Sequence, residues 1–352
     1  MSRLTARTIP PAMTGSNARG MLHRRLSTFV DWIRTDPDRE DEIRARATEV
    51  RKNIRAKAAD DGLIIQATPE SGSFAARTGL RRHMRGESEV EGQDVDCPFV
   101  VAAKTEDDRR LTALLPRFET YAKQAYPDTD RESTKCSVRL NFADKVSFDL
   151  VPLLATRNPE RQILIRSDGE RRETSVQGHV EFMKTRTDRS EEEPGRAKFN
   201  ELVRLLKWSR YFRSIDGAVK EIPSFLVNLL AAHAFDHRGV QVTYGETVAD
   251  WFGFLARTAR KRTTIAFAAF GGAPKAVPMT TWSIFDPVAP DNNLVESWNG
   301  LMCDELADWL EESRDAMYDA IVAFNDDREN DGLDSLVPVF GNPICHHSEP
   351  NQ

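Results

Sequence analysis

Residues 71–96 read SGSFAARTGLRRHMRGESEVEGQDVD and run directly into CPFVVAA, an apolar stretch rich in β-formers. If that stretch is a strand, Asp94 and Asp96 stand two apart and project from one face of it. Two carboxylates on one face invite a divalent cation. A third acid lies in VSFDLVP, where Val146, Phe148 and Leu150 alternate with Ser147, Asp149 and Val151. The run before it alternates in the same way, with Val138, Leu140 and Phe142 on one face and Arg139 and Asn141 on the other. Only Ala143, Asp144 and Lys145 separate the two runs, so they read as a hairpin. Asp149 is thereby expected on a rigid strand beside the first two acids.

Three carboxylates held close repel one another and resist ionisation unless cations neutralise them. Hard oxygen ligands suit Mg²⁺ or Mn²⁺ rather than zinc. Two such ions roughly 3.5–4 Å apart would activate an attacking hydroxyl and stabilise a leaving pyrophosphate. Upstream, Gly72 and Ser73 fall in a small-residue turn after the apolar run from Leu63 to Ala67. Backbone amides in such a turn, backed by a hydroxyl, are able to hold phosphate oxygens.

Gly-Ser alone carries almost no information, and Asp-x-Asp alone is commonly a turn or a solvated strand end. The ordered set of Gly-Ser, Asp-x-Asp on a strand and a lone Asp on a later strand is much rarer, and it resembles the polymerase-β-like nucleotidyltransferases. SGSFAART, DVDCPFVV and SFDLVPLL are followed by DGERRETSVQGHVEF, KFNELVRLLKWSRYF, IPSFLVNLL and DPVAPDNN. In that order, from about residue 43 to about residue 310, they resemble the bacterial CD-NTase family of cyclic-oligonucleotide synthases, relatives of cyclic GMP-AMP synthase and oligoadenylate synthase. The resemblance implies an α+β, bilobed fold: a polymerase-β-like nucleotidyltransferase core of mixed sheet and helices plus a C-terminal helical lobe. It places an N-terminal arm and spine helices at 1–62, the catalytic core at 63–165, the helical lobe at 166–325 and a C-terminal tail at 326–352.

The same resemblance implies roles for single residues. Asp94, Asp96 and Asp149 are the catalytic and metal-binding acids; Gly72, Ser73, Lys207, Ser224 and Phe225 bind nucleotide. From spacing alone Lys207, which interrupts LVRLLKWS, reads as a rim lysine with a packed stem. In the family the lysine of this motif reaches the triphosphate. Pro223 is expected near N1 of a helix that Ser224 caps; the family adds a hydroxyl bond to the triphosphate and stacking of Phe225 on the donor base, where tyrosine is frequent. Thr78 matches a family threonine, but Arg77 replaces the glycine common before it. Asp286-Pro287 and Asp291-Asn292-Asn293 read first as turn formers and caps. Arg139 and Asn141 share a strand face and are expected to approach the acceptor nucleotide. Cys345, His346 and His347 stand in a row that cannot easily close a tetrahedral zinc site. His179 reads as a packed or capping histidine.

A length of 352 residues suits one large or two ordinary domains, and 40% hydrophobic with 30% charged residues is the balance of a soluble globular protein. A net charge of -6 argues against a constitutive nucleic-acid coat. Apolar runs fall short of the roughly 18 residues of a membrane helix, and the N-terminus lacks the apolar stretch of a secretory signal. A cytoplasmic location, with Cys97, Cys136, Cys303 and Cys345 reduced, is therefore expected.

Residues 1–20 are expected to be loose. Leu22, Leu26, Phe29 and Ile33 mark a first helix stopped near the TDPD of 35–38; Ile43, Ala47, Val50, Ile54 and Ala58 mark a second, ended by Gly62. RRHMRGESEVEGQ at 81–93 reads as a surface excursion, and a helix with Leu111, Leu114, Leu115, Phe118 and Ala122 closes at Tyr126-Pro127. TDRSEEEPGR at 187–196 reads as an exposed link, Leu294–Phe324 as one long helix or a broken pair, and DDRENDGLDS at 326–335 as a mobile link. The functional expectation is a template-independent nucleotidyltransferase that uses two Mg²⁺ or Mn²⁺ ions. From ATP and other nucleoside triphosphates it would make a cyclic di- or trinucleotide that activates an anti-phage effector, with a regulatory protein partner and without activation by DNA. The alternatives are a nucleotidyltransferase acting on tRNA, protein or a small molecule, and a catalytically degenerate nucleotide or RNA sensor.

Overall fold

In the computed structural model, residues 16–85, 88–91, 93–102, 113–192, 196–214, 222–276 and 280–350 are described. The chain divides into two compact units. One comprises Ile33–Arg189 and Thr264–Trp298, the other Met1–Trp32, Ser190–Thr263 and Asn299–Gln352.

Helix α1 (Ser16–Ile33) buries the expected stripe of Leu22, Leu26, Phe29 and Ile33. TDPD does more than stop it. Asp36 is the N-cap of α2 (Pro37–Asp60), accepting from the amides of Asp38 and Arg39, and Pro37 fills the first turn, where no amide hydrogen bond is forfeited. Helix α2 buries Ile43, Ala47, Val50, Ile54 and Ala58, and Gly62, at φ +69, takes the left-handed conformation just past its end. After β1 (Ile65–Ala67) and the single turn α3 (Gly72–Ala75), strands β2 (His83–Arg85) and β3 (Ser88–Glu91) pair antiparallel in a two-stranded sheet of their own. The 81–93 excursion is thus a hairpin where it is described, with residues 86, 87 and 92 outside the described set.

Strand β4 (Gln93–Val101) is followed by α4 (Leu114–Ala125), which buries Leu114, Leu115, Phe118, Tyr121 and Ala122; Leu111 lies outside the described residues. Next come β5 (Asp130–Ser133), β6 (Val138–Asn141), β7 (Val146–Ala155), β8 (Gln162–Ile165), β9 (Arg171–Thr174) and α5 (Val176–Glu191). The seven-stranded mixed sheet runs β1-β4-β7-β6-β5, with β8 pairing β7 further along and β9 outside it. Strands β4 and β7 are parallel and the other pairs antiparallel, which makes the fold α+β. Val95, Phe148 and Leu140, then Cys97, Leu150 and Val138, line up across β4, β7 and β6 on the face turned to the core, where α2 and α4 cover them. Full burial of a side chain such as Phe148 contributes about 1.5–3 kcal/mol, so the alternation fixes which face is left for polar groups.

Helix α5 corrects one reading. Residues 187–191 are the end of α5 rather than a loop: Thr187 Oγ1 donates to the carbonyl of Met183, Ser190 Oγ accepts from the amide of Phe199, and both Thr187 and Ser190 are buried. Residues 193–195 lie outside the described set. Helix α6 (Phe199–Ser214) packs on α7 (Ser224–Arg238), and α7 on α8 (Tyr244–Lys261); the short α9 (Ala268–Gly271) belongs to the unit of the sheet. Helix α10 (Gly300–Asn325) is one helix, and it starts later than Leu294 because Asn299 caps it by accepting from the amide of Met302.

The acidic run 326–335 is likewise ordered. It enters α11 (Glu329–Phe340), whose Leu333, Leu336, Val339 and Phe340 are buried while Arg328 pairs with Asp326 and Asp331 on the solvent side. Charge made this stretch look unstructured, but the acids are the wet face of an amphipathic helix. Trp208 Nε1 donates to the carbonyl of Phe340, and after α12 (Pro343–His347) the His347 ring stacks on Trp32 at 4.0 Å, which gives that histidine a packing role. All four cysteines are free. Among the described residues no helix is long and apolar enough to cross a membrane.

His233 in α7 is 6% exposed and lies against Phe254 and His237. Burial, with a smaller push from His237, lowers its pKa to about 4. An unfolded histidine titrates near 6.5, so the stability that neutral His233 permits is complete above that value and is lost as pH falls through about 4. Thermal melts from pH 7 to pH 4 are expected to lose up to about 3 kcal/mol through this one residue. A His233→Leu variant should lose correspondingly less over the same range; equal losses in both proteins would contradict the assignment.

Candidate active site

Strand β7 lies between β4, parallel to it, and β6, antiparallel to it. The register pairs Asp96 with Asp149, and Asp149 with Arg139. Directly paired residues point to the same face, so Asp96, Asp149 and Arg139 form a row across three strands. The neighbouring row is Asp94, Ser147 and Asn141, in which Ser147 Oγ donates to Asn141 Oδ1 at 2.9 Å. Both rows lie opposite the apolar face. Asp94 is exposed, Asp96 half-buried and Asp149 buried at 9%.

Two carboxylates in direct register destabilise a strand pair unless a cation offsets them. Arg139 supplies one. Its Nε donates to Oδ1 of Asp149 at 3.0 Å and its Nη2 to Oδ2 at 2.7 Å, while Nη2 also lies 3.5 Å from Oδ2 of Asp94. Ser137 Oγ donates to Oδ1 of Asp149 at 3.2 Å. The hydrogen bonds to Asp149, helped by the charge of Asp94, outweigh partial burial and hold the Arg139 pKa above its ordinary value. Beside the row, burial pushes the Cys97 thiol up to about 12 and also raises that of Cys136. Neither is a thiolate at neutral pH, so the groups available for chemistry are carboxylates.

Gly72 closes the site from the other side. It sits at φ +70, and a Cβ built on it would stand 2.2 Å from Oδ2 of Asp96. The expected turn at Gly72 and Ser73 is the opening of α3, whose first amides have no partner within a single helical turn. The turn ends with the amide of Thr78 bonding the carbonyl of Ser73 at 2.8 Å and that of Arg77 bonding the carbonyl of Phe74 at 3.3 Å. This is a Schellman arrangement. Arg77 holds its left-handed position at φ +55, so the chain keeps the backbone path that glycine would favour despite the substitution.

Among the described residues, no three His, Cys, Asp or Glu side chains already form a metal-holding group. Both oxygens of Asp149 accept bonds from Arg139, and Ser137 shares one of them. The donor set nevertheless fits divalent cations. It consists of hard oxygen ligands on rigid, adjacent strands, two of them in register, on a face that already draws a positive group.

Lys207, Ser224 and Phe225 lie in the other unit. Lys207 is 2% exposed in α6, and Ser224 and Phe225 are half-buried in the first turn of α7, which packs on α6. Ser224 is not the cap: Pro223 holds that position and Ser224 is the first helical residue. At 286–293 the turn-forming reading holds. Asp286 accepts from the amides of Val288 and Ala289 and bonds His179 Nε2 at 2.9 Å; burial alone would raise its pKa, but these bonds bring it below the usual carboxylate range. Asn293 Oδ1 accepts from the amides of Ile284 and Val295.

One functional contact escaped the sequence reading. Arg139, expected to approach the acceptor nucleotide, also forks onto Asp149. The signal was present in the hairpin: a turn that bonds Phe142 to Val146 sets Arg139 opposite Asp149 by counting.

The family model for the Second Messenger Oligonucleotide or Dinucleotide Synthetase domain matches residues 21–186. The cyclic AMP-AMP-AMP synthase of Escherichia coli (strain MS 115-1) is 24% identical over 312 residues, covering 86% of this chain and 92% of that protein. CdnC of E. coli MS115-1, solved with ATP, matches with a TM-score of 0.74 at 23% identity over 91% of this chain and 97% of its own. It has also been solved in a complex with HORMA-deltaN, which matches at 0.72 with 23% identity over 91% and 96%. The Bradyrhizobium diazoefficiens CD-NTase CdnG in complex with GTP matches at 0.67 with 15% identity over 92% and 96%. The architecture is thus polymerase-β-like, as the three acids suggested. The domain match runs from α1 into α5 and through every strand of the acidic row, so this stretch is similar to the synthetase domain of oligonucleotide and dinucleotide second messengers, and the chain shares the fold of the CD-NTases.

Proposed function

We propose that the protein joins nucleoside triphosphates, ATP among them, into a cyclic di- or trinucleotide without a template. The observation that carries this reading is the in-register placement of Asp96 beside Asp149 on parallel strands, with Gly72 against the Asp96 carboxylate. Asp94, Asp96 and Asp149 would hold Mg²⁺ or Mn²⁺. When bound, such ions supply a lowered pKa for the acceptor hydroxyl and charge stabilisation of the departing pyrophosphate.

The remaining work falls to the chain's own groups. The opening of α3, with Gly72 and Ser73, offers amides and a hydroxyl to the donor phosphates, and the missing side chain at position 72 lets them come close to Asp96. Lys207 and Ser224 are assigned to the β and γ phosphates and Phe225 to the donor base on the strength of their motifs. Stacking of that kind contributes about 1–3 kcal/mol per base and tolerates different bases. Positioning and charge neutralisation are most of what phosphoryl transfer requires.

The relative named for an AMP-AMP-AMP product, matched along nearly its whole length, favours adenine in the product. The CdnC complex with HORMA-deltaN favours a regulatory protein partner for this chain too. The product is assigned the role of a second messenger for an anti-phage effector.

Incubation of the full chain with all four nucleoside triphosphates and Mg²⁺ or Mn²⁺, with mass spectrometry after phosphatase treatment, should detect a cyclic product containing adenine. A linear product alone, or transfer of a nucleotide to tRNA or protein in its place, would contradict the reading. Asp96→Asn should lower pyrophosphate release about 10³-fold, since it removes several kcal/mol of charge stabilisation; turnover within a few-fold of wild type would exclude Asp96 as a ligand.

Gly72→Ala forces a side chain into a left-handed position, at about 1–2 kcal/mol, and into the Asp96 carboxylate. It should lower turnover at least about tenfold while the protein remains folded by circular dichroism. Unchanged turnover would separate α3 from the reaction.

A further inference from the structure

The row does not stop at Arg139. Strand β5 pairs with β6 so that Glu132 is the register partner of Arg139, giving the order Asp96, Asp149, Arg139, Glu132 across four strands. Arg139 therefore stands between two carboxylates on one face. On one side it grips Asp149 with both arms of its fork; on the other, Glu132 is exposed and its charge acts on the guanidinium.

A carboxylate has about four lone-pair positions, and three of those on Asp149 already accept bonds from Arg139 and Ser137. A divalent ion of magnesium size needs an oxygen at about 2.0–2.1 Å. It cannot share Asp149 with a forked guanidinium without two cations crowding the same oxygens.

We propose that Arg139 is a positioning residue that gates Asp149: the guanidinium and the divalent cation compete for that carboxylate, and cation binding moves Arg139 across the row toward Glu132. This rests on the assignment of Asp94, Asp96 and Asp149 as cation ligands. Until the cation arrives, the fork keeps Asp149 in one rotamer and offsets the repulsion from Asp96. The gate also sets the order of assembly, because a cation brought in with a triphosphate competes better than a free ion whose charge nothing else neutralises. Release requires no distortion of the sheet, since β5 presents the second acid at the same level of the row.

The test is titration of the nucleotide-free full chain with Mn²⁺ alone, followed by calorimetry and by the electron paramagnetic resonance signal of the free ion. Arg139→Gln should bind Mn²⁺ about tenfold more tightly than wild type, the loss of one charge-assisted fork. Arg139→Lys keeps the charge but cannot form the fork, and it too should bind more tightly; charge alone would leave it at the wild-type value. Glu132→Gln should bind more weakly, by about threefold, because the displaced guanidinium loses its second partner.

In thermal melts the Arg139→Gln protein should be less stable than wild type in EDTA, and the deficit should close in saturating Mn²⁺. Affinity of Arg139→Gln and Arg139→Lys equal to or weaker than wild type, or a stability deficit indifferent to Mn²⁺, would overturn the gate and leave Arg139 a structural partner of β7. Asp149→Asn separates the two ideas: if it binds Mn²⁺ as wild type does, the ligand assignment itself fails.

Discussion

The repulsion between Asp96 and Asp149 is the constraint around which the sheet unit is arranged. Two acids in register on neighbouring parallel strands are a poor choice for stability, and the surrounding sequence answers that choice at several points. Arg139 faces Asp149 from the far side and reaches Asp94 as well, Ser137 adds a hydrogen bond, and Gly72 withholds a side chain where one would strike Asp96. The opposite face of the same strands is made of Val95, Phe148, Leu140, Cys97, Leu150 and Val138, all buried. That face fixes the register, and the register fixes the acids. A slip by one residue would send every carboxylate into the core, so the apolar face and the polar row enforce each other.

Much of this was legible in the sequence because period-two alternation with a short turn leaves little freedom. Val138–Asn141 and Val146–Ala155 paired as the spacing required, and Asp94 and Asp96 fell on one face of β4. The stripes of α1, α2 and α4 were equally plain. What escaped was long-range or compositional. That β4 lies parallel to β7 with Asp96 beside Asp149 depends on a crossover through α4, which periodicity does not encode. Acid-rich stretches were misread as links at 187–191 and 326–335, because charge hid the apolar stripe of α11 and the buried hydroxyls of α5. The fork from Arg139 to Asp149 follows from the hairpin register, which sets the two residues opposite each other.

Lys207, Ser224 and Phe225 illustrate a different limit. The half-buried positions of Ser224 and Phe225 are what packing alone would produce; Lys207, 2% exposed, is buried more deeply than the rim position its spacing suggested, and only the motifs link the three to a nucleotide. The acids differ, since no packing argument explains why a sheet should carry two carboxylates in register. The function proposed above gives that arrangement a purpose: groups that destabilise one another without a cation would be well suited to hold one during reaction.

The central claim is that Asp94, Asp96 and Asp149 share divalent cations at the site of chemistry. Anomalous diffraction from crystals of the full chain grown with Mn²⁺ and a non-hydrolysable ATP analogue tests it most directly. The account predicts two manganese peaks roughly 3.5–4 Å apart, bound by the carboxylates of Asp96 and Asp149 with Asp94 completing the set. Manganese held only by the triphosphate, or Asp149 still locked to Arg139 with no peak beside it, would contradict it.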